Sequence, residues 1–230
     1  MTTYLQKEME EAGYKTSSPI DGILLVHDFV TDEEINQYFE MINSATEEDW
    51  QGWYTNNLKN FCLEKFGRDD VENLVAEGKF EITSNWHDKN LEFIDNKLNH
   101  IVTKRLQDVI KTGPEKLICS GFYFFQRMYE GVELVAHTDQ YTDPSIKYAA
   151  IIYIHDDYNA GEIFWPNVNF EMKPKPKDLL IFPGNDEFNH GVRHVAAGPT
   201  RYVVPAFLKS PNFYEDKVFT NQKEYLPKEY

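Results

Sequence analysis

The chain has 230 residues, of which 41% are hydrophobic and 15% are aromatic, and this composition supports one packed globular domain. The formal net charge is −15, and residues 1–50 hold twelve acidic side chains against two lysines, a net −10. The acidity is therefore mostly a property of the N-terminal surface. It disfavours a nucleic acid as partner, because a polyanion would be repelled.

The chain contains only two cysteines, Cys62 and Cys119, and they are far apart in sequence. This spacing predicts neither a disulfide framework nor a zinc site. The segment Met1–Gly13 is polar and has no apolar signal-peptide core, and no apolar run approaches the length of a membrane span. We therefore expect a soluble cytoplasmic protein that has no contact with a membrane; the sequence leaves its oligomeric state open.

The first half of the chain predicts a short strand followed by helices. Thr31 and Glu34 have the spacing of a capping box at the start of a helix. Leu91 begins an apolar stripe at helical spacing that continues to Val109, which predicts a long amphipathic helix closed by Gly113. The remaining predicted elements of this half are a strand at Ile23–Val26 and helices near Asn57–Phe66 and Asp70–Glu77.

From Leu117 onward the hydrophobic pattern changes to that of short strands separated by turn residues. The predicted strands are Ser120–Tyr129, Leu134–Asp139, Tyr148–His155, Glu162–Trp165, Asp178–Phe182, Gly191–Ala196 and Arg201–Leu208. Helices followed by such strands predict a mainly β protein with a double-stranded β-helix (jelly roll) core. We expect a single domain over 1–230, with supporting N-terminal elements in 1–116, the core in 117–208 and a C-terminal extension in 209–230.

His137 and Asp139 lie two residues apart on a predicted strand, so their side chains would leave the same face and could bind one ion together. Two histidines and one carboxylate can occupy one face of a ferrous ion and leave three coordination positions open. A second His-x-Asp occurs at His155 and Asp157, and we interpret it as the polar end of a strand that enters a turn.

Two histidines compete for the place of the third ligand. His190 follows the loop after a predicted strand. His194 is four residues further on, so both side chains would leave the same face of a strand, and the alternation of side chains does not decide between them. For His27, His87 and His100 the sequence offers no second ligand at useful spacing.

Arg201 begins the last predicted strand and would share a face with Val203, Pro205 and Phe207. An inward-pointing arginine among apolar neighbours needs an anion, and a guanidinium suits a carboxylate. Tyr153 could add a hydroxyl donor to the same anion. The competing interpretations are a surface arginine at a strand start and a buried tyrosine of ordinary structural role.

These residues resemble the catalytic core of the prolyl 4-hydroxylase type of Fe(II)/2-oxoglutarate-dependent dioxygenases, in which the same features occur in the same order. The matching segments are Tyr129–Gly131, His137–Asp139, Ala149–Ile154, Ala160–Pro166, Asp178–Phe182, and His190 with Val192, Val195, Gly198 and Arg201. The positions of Val195 and Gly198 favour His190 over His194. The resemblance implies His137, Asp139 and His190 as metal ligands, and Arg201, Tyr153 and Tyr129 as residues that bind 2-oxoglutarate.

The resemblance also implies the cofactors Fe(II) and 2-oxoglutarate, with ascorbate as reductant, and hydroxylation of a prolyl residue in a peptide or protein. The alternatives are a hydroxylase of a free amino acid or other small molecule, and a non-catalytic jelly-roll binding module. Ala160 and Ile163 stand where the family has a glycine and a threonine, and Pro205 removes a backbone donor from the last strand. Segments Gln140–Lys147 and Glu81–Asn90 are the expected lid positions.

Overall fold

The computed structural model describes residues 3–52, 62–63, 65–79, 89–92, 96–111 and 113–211. Most of the expected lid segment Glu81–Asn90 and most of the helix predicted at Asn57–Phe66 lie outside the described residues. The same holds for residues 212–230 of the expected C-terminal extension.

The described helices lie mostly in the N-terminal half of the chain. They include α1 (Thr3–Glu11), α2 (Asp32–Ser44), α3 (Val71–Ala76), α4 (Lys97–Ile110) and the short α5 (Asp139–Thr142). The helices predicted after Thr31 and near Asp70–Glu77 are confirmed as α2 and α3. Helix α1 was not predicted, although it buries Leu5 and Met9 completely against the core.

The capping box that opens α2 also joins this helix to α4. Thr31 Oγ1 accepts the Glu34 N–H at 3.2 Å, and Glu34 Oε2 accepts the Thr31 N–H at 2.9 Å. Arg105 of α4 donates to both carboxylate oxygens of Glu34, at 2.9 and 2.5 Å, and to the Phe29 carbonyl at 2.8 Å. Burial opposes the charged form of Glu34, but the Arg105 guanidinium and the Thr31 N–H outweigh it and lower the pKa of Glu34.

The helix predicted from Leu91 begins later than the apolar stripe suggests. Leu91 lies in a strand, and α4 starts at Lys97 after Asn96, whose Oδ1 accepts the Leu98 N–H at 2.8 Å. An asparagine in this position caps the free N–H groups of the first helical turn. The prediction was therefore wrong at the N-terminal end of this helix, because apolar spacing alone does not show where the cap lies.

The strands form two antiparallel sheets. They are β1 (Lys15–Ser17), β2 (Leu24–His27), β3 (Gln51–Gly52), β4 (Lys89–Glu92), β5 (Ile118–Cys119), β6 (Phe124–Met128), β7 (Leu134–His137), β8 (Ile146–Tyr153), β9 (Ile163–Trp165), β10 (Phe170–Met172), β11 (Leu179–Pro183), β12 (His190–Val192) and β13 (Arg201–Lys209). The larger sheet has the order β1-β2-β11-β8-β13-β6-β4-β3, with β5 paired to β13, and the smaller has the order β10-β9-β12-β7. The predicted mainly β fold with N-terminal helices is confirmed.

The central strands of the larger sheet are apolar on both faces, because each face is covered. On β11, Leu179 and Ile181 join the cluster that includes α1, α2 and α4, whereas Leu180 and Phe182 join the cluster between the two sheets. Every residue of β11 is buried. This explains why the strand is a continuous apolar run rather than an alternating one.

Pro205 is accommodated in β13 because its nitrogen faces a gap in the sheet. The Phe207 N–H donates to Ser120 Oγ, so it points to the side of β13 on which β5 and β6 lie. Backbone nitrogens two residues apart in a strand point the same way, so the Pro205 nitrogen faces that side too. The pairing of β13 with β6 covers only Arg201–Val203, so it has ended before Pro205. The proline therefore costs no ladder hydrogen bond.

Among the described helices, none is long and apolar enough to cross a membrane.

The ion pair between Glu34 and Arg105 gives a test of this packing. We expect Glu34→Gln to lower the free energy of unfolding by about 1–3 kcal/mol, because the exchange removes a charge from hydrogen bonds with a partly buried guanidinium. Urea denaturation at pH 7 measures the change. Since the folded-state pKa of Glu34 is lowered, the stabilisation is present at neutral pH and should shrink as the pH falls through that pKa.

Glu33→Gln is the matched control, because Glu33 is exposed in the same helical turn. We expect it to change the stability by less than about 0.5 kcal/mol. Equal effects of the two substitutions would contradict the role given to Glu34.

Candidate active site

Three side chains converge where β7 and β12 pair. His137 and His190 are directly opposite each other in the two strands, and their ring centroids are 4.6 Å apart. The nearest oxygens of Asp139 lie 3.7 Å from His137 Nε2 and 3.9 Å from His190 Nε2. One ligand atom from each residue lies within 4.8 Å of the others, which is close enough for all three to hold one metal ion.

Both imidazoles are oriented by the backbone. His137 Nδ1 lies 3.0 Å from the Val135 carbonyl oxygen, and His190 Nδ1 lies 3.3 Å from that of Phe188. A carbonyl can only accept, so Nδ1 carries the proton in each ring and Nε2 presents its lone pair to the centre of the triad. Gly191 allows the close strand approach, because a Cβ there would lie 2.4 Å from the Leu134 carbonyl oxygen.

Asp139 reaches the site from a helical turn rather than from the strand. The predicted strand Leu134–Asp139 ends at His137, and Asp139 is the first residue of α5. Thr138 Oγ1 donates to Asp186 at 3.1 Å, and the Gln140 N–H donates to the Gly184 carbonyl at 3.2 Å. The loop that precedes β12 therefore fixes the turn, and the expectation that His137 and Asp139 share one strand face was wrong.

The electrostatics of the triad favour a bound cation. Burial raises the pKa of Asp139 to about 6, although nearby His137 opposes the shift. Burial also lowers the pKa of His190 to about 4, and burial together with His190 lowers the pKa of His137. Two neutral imidazoles and a carboxylate removed from water are a donor set that a divalent metal ion would stabilise.

Arg201 lies in the same cavity and is almost completely buried, with 1% of its surface exposed. Its Nη2 donates to the Tyr153 hydroxyl at 3.2 Å, and its Nη1 lies 3.6 Å from Met128 Sδ. In the part of the chain that the structure describes, no carboxylate pairs with this guanidinium, and its Nε has no hydrogen-bond partner. A buried cation without an anion is costly, so the site fits an anionic ligand.

Of the two tyrosines predicted to bind that anion, one lies beside Arg201 and the other does not. Tyr153 is fully buried and contacts Arg201 as expected. Tyr129 is 39% exposed and does not line the cavity, so its predicted role is not supported by its position. Met128 is the residue that pairs with Arg201 across β6 and β13, and side chains alternate along a strand, so Tyr129 points elsewhere.

Tyr158 was missed by the sequence analysis. It is 1% exposed, and the Arg201 guanidinium lies 5.7 Å from the centre of its ring. The ring of Tyr153 lies at a similar 5.5 Å, so two aromatic rings enclose the cation. Tyr158 follows the strand β8 in an irregular segment, where no periodic pattern indicates which way a side chain points.

The other histidines do not contribute to the triad. His155 forms a hydrogen bond with Asp157 and accepts the Tyr202 N–H at 3.0 Å, while its ring packs against Phe39. His194 is exposed beyond the end of β12, which covers only His190–Val192 instead of the predicted Gly191–Ala196. Among the described residues, no second group of three histidine, cysteine or carboxylate side chains could hold a metal ion.

The cavity that contains the triad and Arg201 has a volume of about 250 Å³ and lies between the two sheets. Its walls are mainly apolar side chains from the large sheet, among them Phe124, Ile151, Pro205 and Phe207. An apolar cavity with a few polar groups at fixed positions is typical of a small-molecule site.

Comparison with known proteins finds a family model that matches this core. Residues 123–209 match the family model described as the 2OG-Fe(II) oxygenase superfamily. No curated protein matches the sequence. The matched range contains the triad, Tyr153, Tyr158 and Arg201.

Solved structures share the fold at low sequence identity. A prolyl hydroxylase from Trichoplax adhaerens, in complex with a hypoxia inducible factor oxygen degradation domain peptide fragment, has a TM-score of 0.57 at 13% identity, covering 94% of this chain and 97% of that chain. The viral collagen prolyl hydroxylase of Paramecium Bursaria Chlorella virus-1, in complex with 2OG, has a TM-score of 0.55 at 14% identity, covering 83% and 96%. A prolyl-4-hydroxylase from Pseudomonas putida has a TM-score of 0.54 at 13% identity, covering 91% and 98%.

The structural likeness is one of fold, and it agrees with the family match and with the donor set of the cavity. Residues 123–209, which hold the triad and Arg201, are therefore similar to the 2OG-Fe(II) oxygenase superfamily, a family named for Fe(II) and 2-oxoglutarate.

Proposed function

We propose that this chain hydroxylates a C–H bond of a prolyl residue in a peptide or protein, with His137, Asp139 and His190 as the Fe(II) ligands. The observation that carries the proposal is the buried guanidinium of Arg201 in the same cavity as the triad, which pairs with no carboxylate among the described residues. A metal site alone would be compatible with many reactions. A metal site together with an unpaired buried cation suits a metal-chelating dicarboxylate.

Fe(II) held by these three ligands would activate dioxygen, the oxidant: one oxygen atom would enter the substrate as hydroxyl, and the other would enter the succinate formed from 2-oxoglutarate with loss of carbon dioxide. The residues of this chain orient and protect the reactants. The two imidazoles hold their Nε2 lone pairs toward the metal because the Val135 and Phe188 carbonyls fix Nδ1. Ascorbate is our proposed reductant.

Arg201 and Tyr153 would bind the distal carboxylate of 2-oxoglutarate. The Tyr153 hydroxyl already lies 3.2 Å from Arg201 Nη2, so the two donors can converge on one anion. Charge-assisted hydrogen bonds in a dry cavity are stronger than those in water. The apolar walls exclude water and limit side reactions.

A prolyl substrate is supported by the structures with the same fold, which are those of prolyl hydroxylases, one of them with a peptide bound. The walls of the same cavity include Phe124, Pro205 and Phe207, which could pack against a pyrrolidine ring. A free amino acid is the competing substrate class, and mass spectrometry of a blocked peptide and of free proline distinguishes the two.

The choice of metal ligand is tested by a matched pair of histidine substitutions. We expect His190→Ala to lower succinate formation from 2-oxoglutarate by more than about 100-fold, because removing a direct ligand should exceed the 10–100-fold cost of losing an outer partner. His194→Ala should leave the rate unchanged, since His194 is exposed and outside the triad. Mn(II) binding measured by calorimetry should show the same contrast. Full activity of His190→Ala would contradict the assignment.

The role of Arg201 is tested by its effect on 2-oxoglutarate alone. We expect Arg201→Met to raise the Kd for 2-oxoglutarate about 10- to 100-fold, measured by calorimetry on the Mn(II)-loaded protein, because charged hydrogen bonds are lost. Mn(II) affinity should not change.

Arg193→Met is the control, because the Arg193 side chain is 52% exposed and pairs with Glu171 at the surface. If Arg201→Met bound 2-oxoglutarate as tightly as the unchanged protein, the role given to Arg201 in holding the distal carboxylate would be contradicted.

The substrate class is tested by mass spectrometry. We expect a blocked proline-containing peptide to gain one oxygen atom on its prolyl residue when incubated with the enzyme, Fe(II), 2-oxoglutarate and ascorbate. Hydroxylation of free proline without hydroxylation of the peptide would replace a peptide substrate with an amino acid. Succinate formation that neither compound stimulates would contradict prolyl specificity.

A further inference from the structure

Strand β13 forms one wall of the cavity, and its two ends carry different charged groups. Arg201 stands at its first position and Lys209 at its last, about 26 Å of extended strand apart. Both residues line the cavity. Arg201 is 1% exposed, whereas 22% of the Lys209 side chain is exposed, so the Lys209 end is nearer to solvent.

Lys209 is held in place by Asp143. Its Nζ lies 2.8 Å from Asp143 Oδ2, and Asp143 also lines the cavity. The other oxygen of Asp143 accepts the N–H and the hydroxyl of Ser145, at 2.9 and 2.5 Å. Ser145 in turn accepts the Ser210 N–H at its carbonyl, at 2.9 Å, next to Lys209. Asp143 thus positions the ammonium, and Ser145 holds both Asp143 and the backbone next to Lys209.

The pair lies at the same end of the sheet as the triad. Asp143 follows Asp139 by one helical turn, and its N–H donates to the Asp139 carbonyl at 3.1 Å. Lys209 pairs with Ile146. Ile146 and Asp139 both lie against Gly184: a Cβ built on Gly184 would be 3.0 Å from Ile146 Cγ2 and 3.4 Å from Asp139 Cβ. If 2-oxoglutarate spans the interval from Arg201 to the triad, the space left for the second substrate is bounded by Lys209.

We propose that Lys209 is a substrate-binding residue whose ammonium donates a hydrogen bond to the carbonyl or carboxylate oxygen attached to the residue that is hydroxylated. The inference rests on the proposed function and adds the feature by which the substrate is oriented. An ammonium has three N–H donors, and Asp143 takes one; within the described residues the others have no partner and can serve the cavity.

The chemistry of the surrounding walls fits this acceptor. Phe124, Pro205 and Phe207 line the same cavity and offer apolar surface to a ring, but no hydrogen bond from their side chains. Lys209 then supplies the polar contact that fixes the direction of the ring relative to the triad. A few fixed polar groups within an apolar pocket determine orientation in this way.

The test measures binding to protein loaded with Mn(II) and 2-oxoglutarate, in which no turnover occurs. The probes are the blocked peptide acetyl-Ala-Pro-Ala-amide, which offers carbonyls, and free L-proline, which offers a carboxylate. We expect Lys209→Met to raise the Kd of whichever probe the unchanged protein binds by about tenfold or more, and Lys209→Arg to retain affinity within about threefold. The Kd for 2-oxoglutarate should not change.

Lys147→Met is the matched control, because Lys147 is an exposed lysine on the neighbouring strand β8. Loss of peptide binding in Lys209→Met identifies a carbonyl as the acceptor, and loss of proline binding identifies a carboxylate; either supports the proposal. Unchanged probe affinity in Lys209→Met overturns it, as does loaded protein that binds neither probe. Failure of the unchanged protein to bind 2-oxoglutarate at all would instead overturn the proposed function, and this inference with it.

Discussion

The site depends on the pairing of β7 with β12, which sets His137 directly opposite His190. In an antiparallel pair, opposite side chains on one face are close enough to share a ligand. Gly191 permits the strands to approach, and the backbone carbonyls behind each ring turn both Nε2 atoms inward. Asp139 completes the triad only because the chain leaves β7 in a helical turn, so a short irregularity after a regular strand creates the third ligand.

The two buried charges of the cavity lead us to expect that ligand binding stabilises this protein. Burial raises the pKa of Asp139, and Arg201 has no anion among the described residues. Each charge is costly alone, and the two do not neutralise each other, because Asp139 lies against the two histidines and forms no ion pair with Arg201. A metal ion at one end and a carboxylate at the other remove both costs. Ligands that bind only the folded state stabilise it by mass action.

The sequence predicted those parts of the site that follow from periodicity and from motif order. His137, His190 and Arg201 lie on strands, and their convergence follows once the strands pair. The expected role of Tyr129 depended on strand register, and a shift of one residue moves a side chain to the other face. Tyr158 escaped prediction because it belongs to an irregular segment. The N-terminal helix α1 and the start of α4 were missed or misplaced because propensity and spacing do not locate caps.

The gap beside Pro205 links the fold to the choice of substrate. Where β6 separates from β13 after Val203, the larger sheet loses its ladder on one side, and Phe124 and Pro205 face the cavity instead of closing it. A central strand would ordinarily exclude proline because of the missing donor. Here the missing donor is placed where no described strand pairs with β13. The residue that departs from the usual strand pattern therefore also shapes the apolar wall between Arg201 and Lys209.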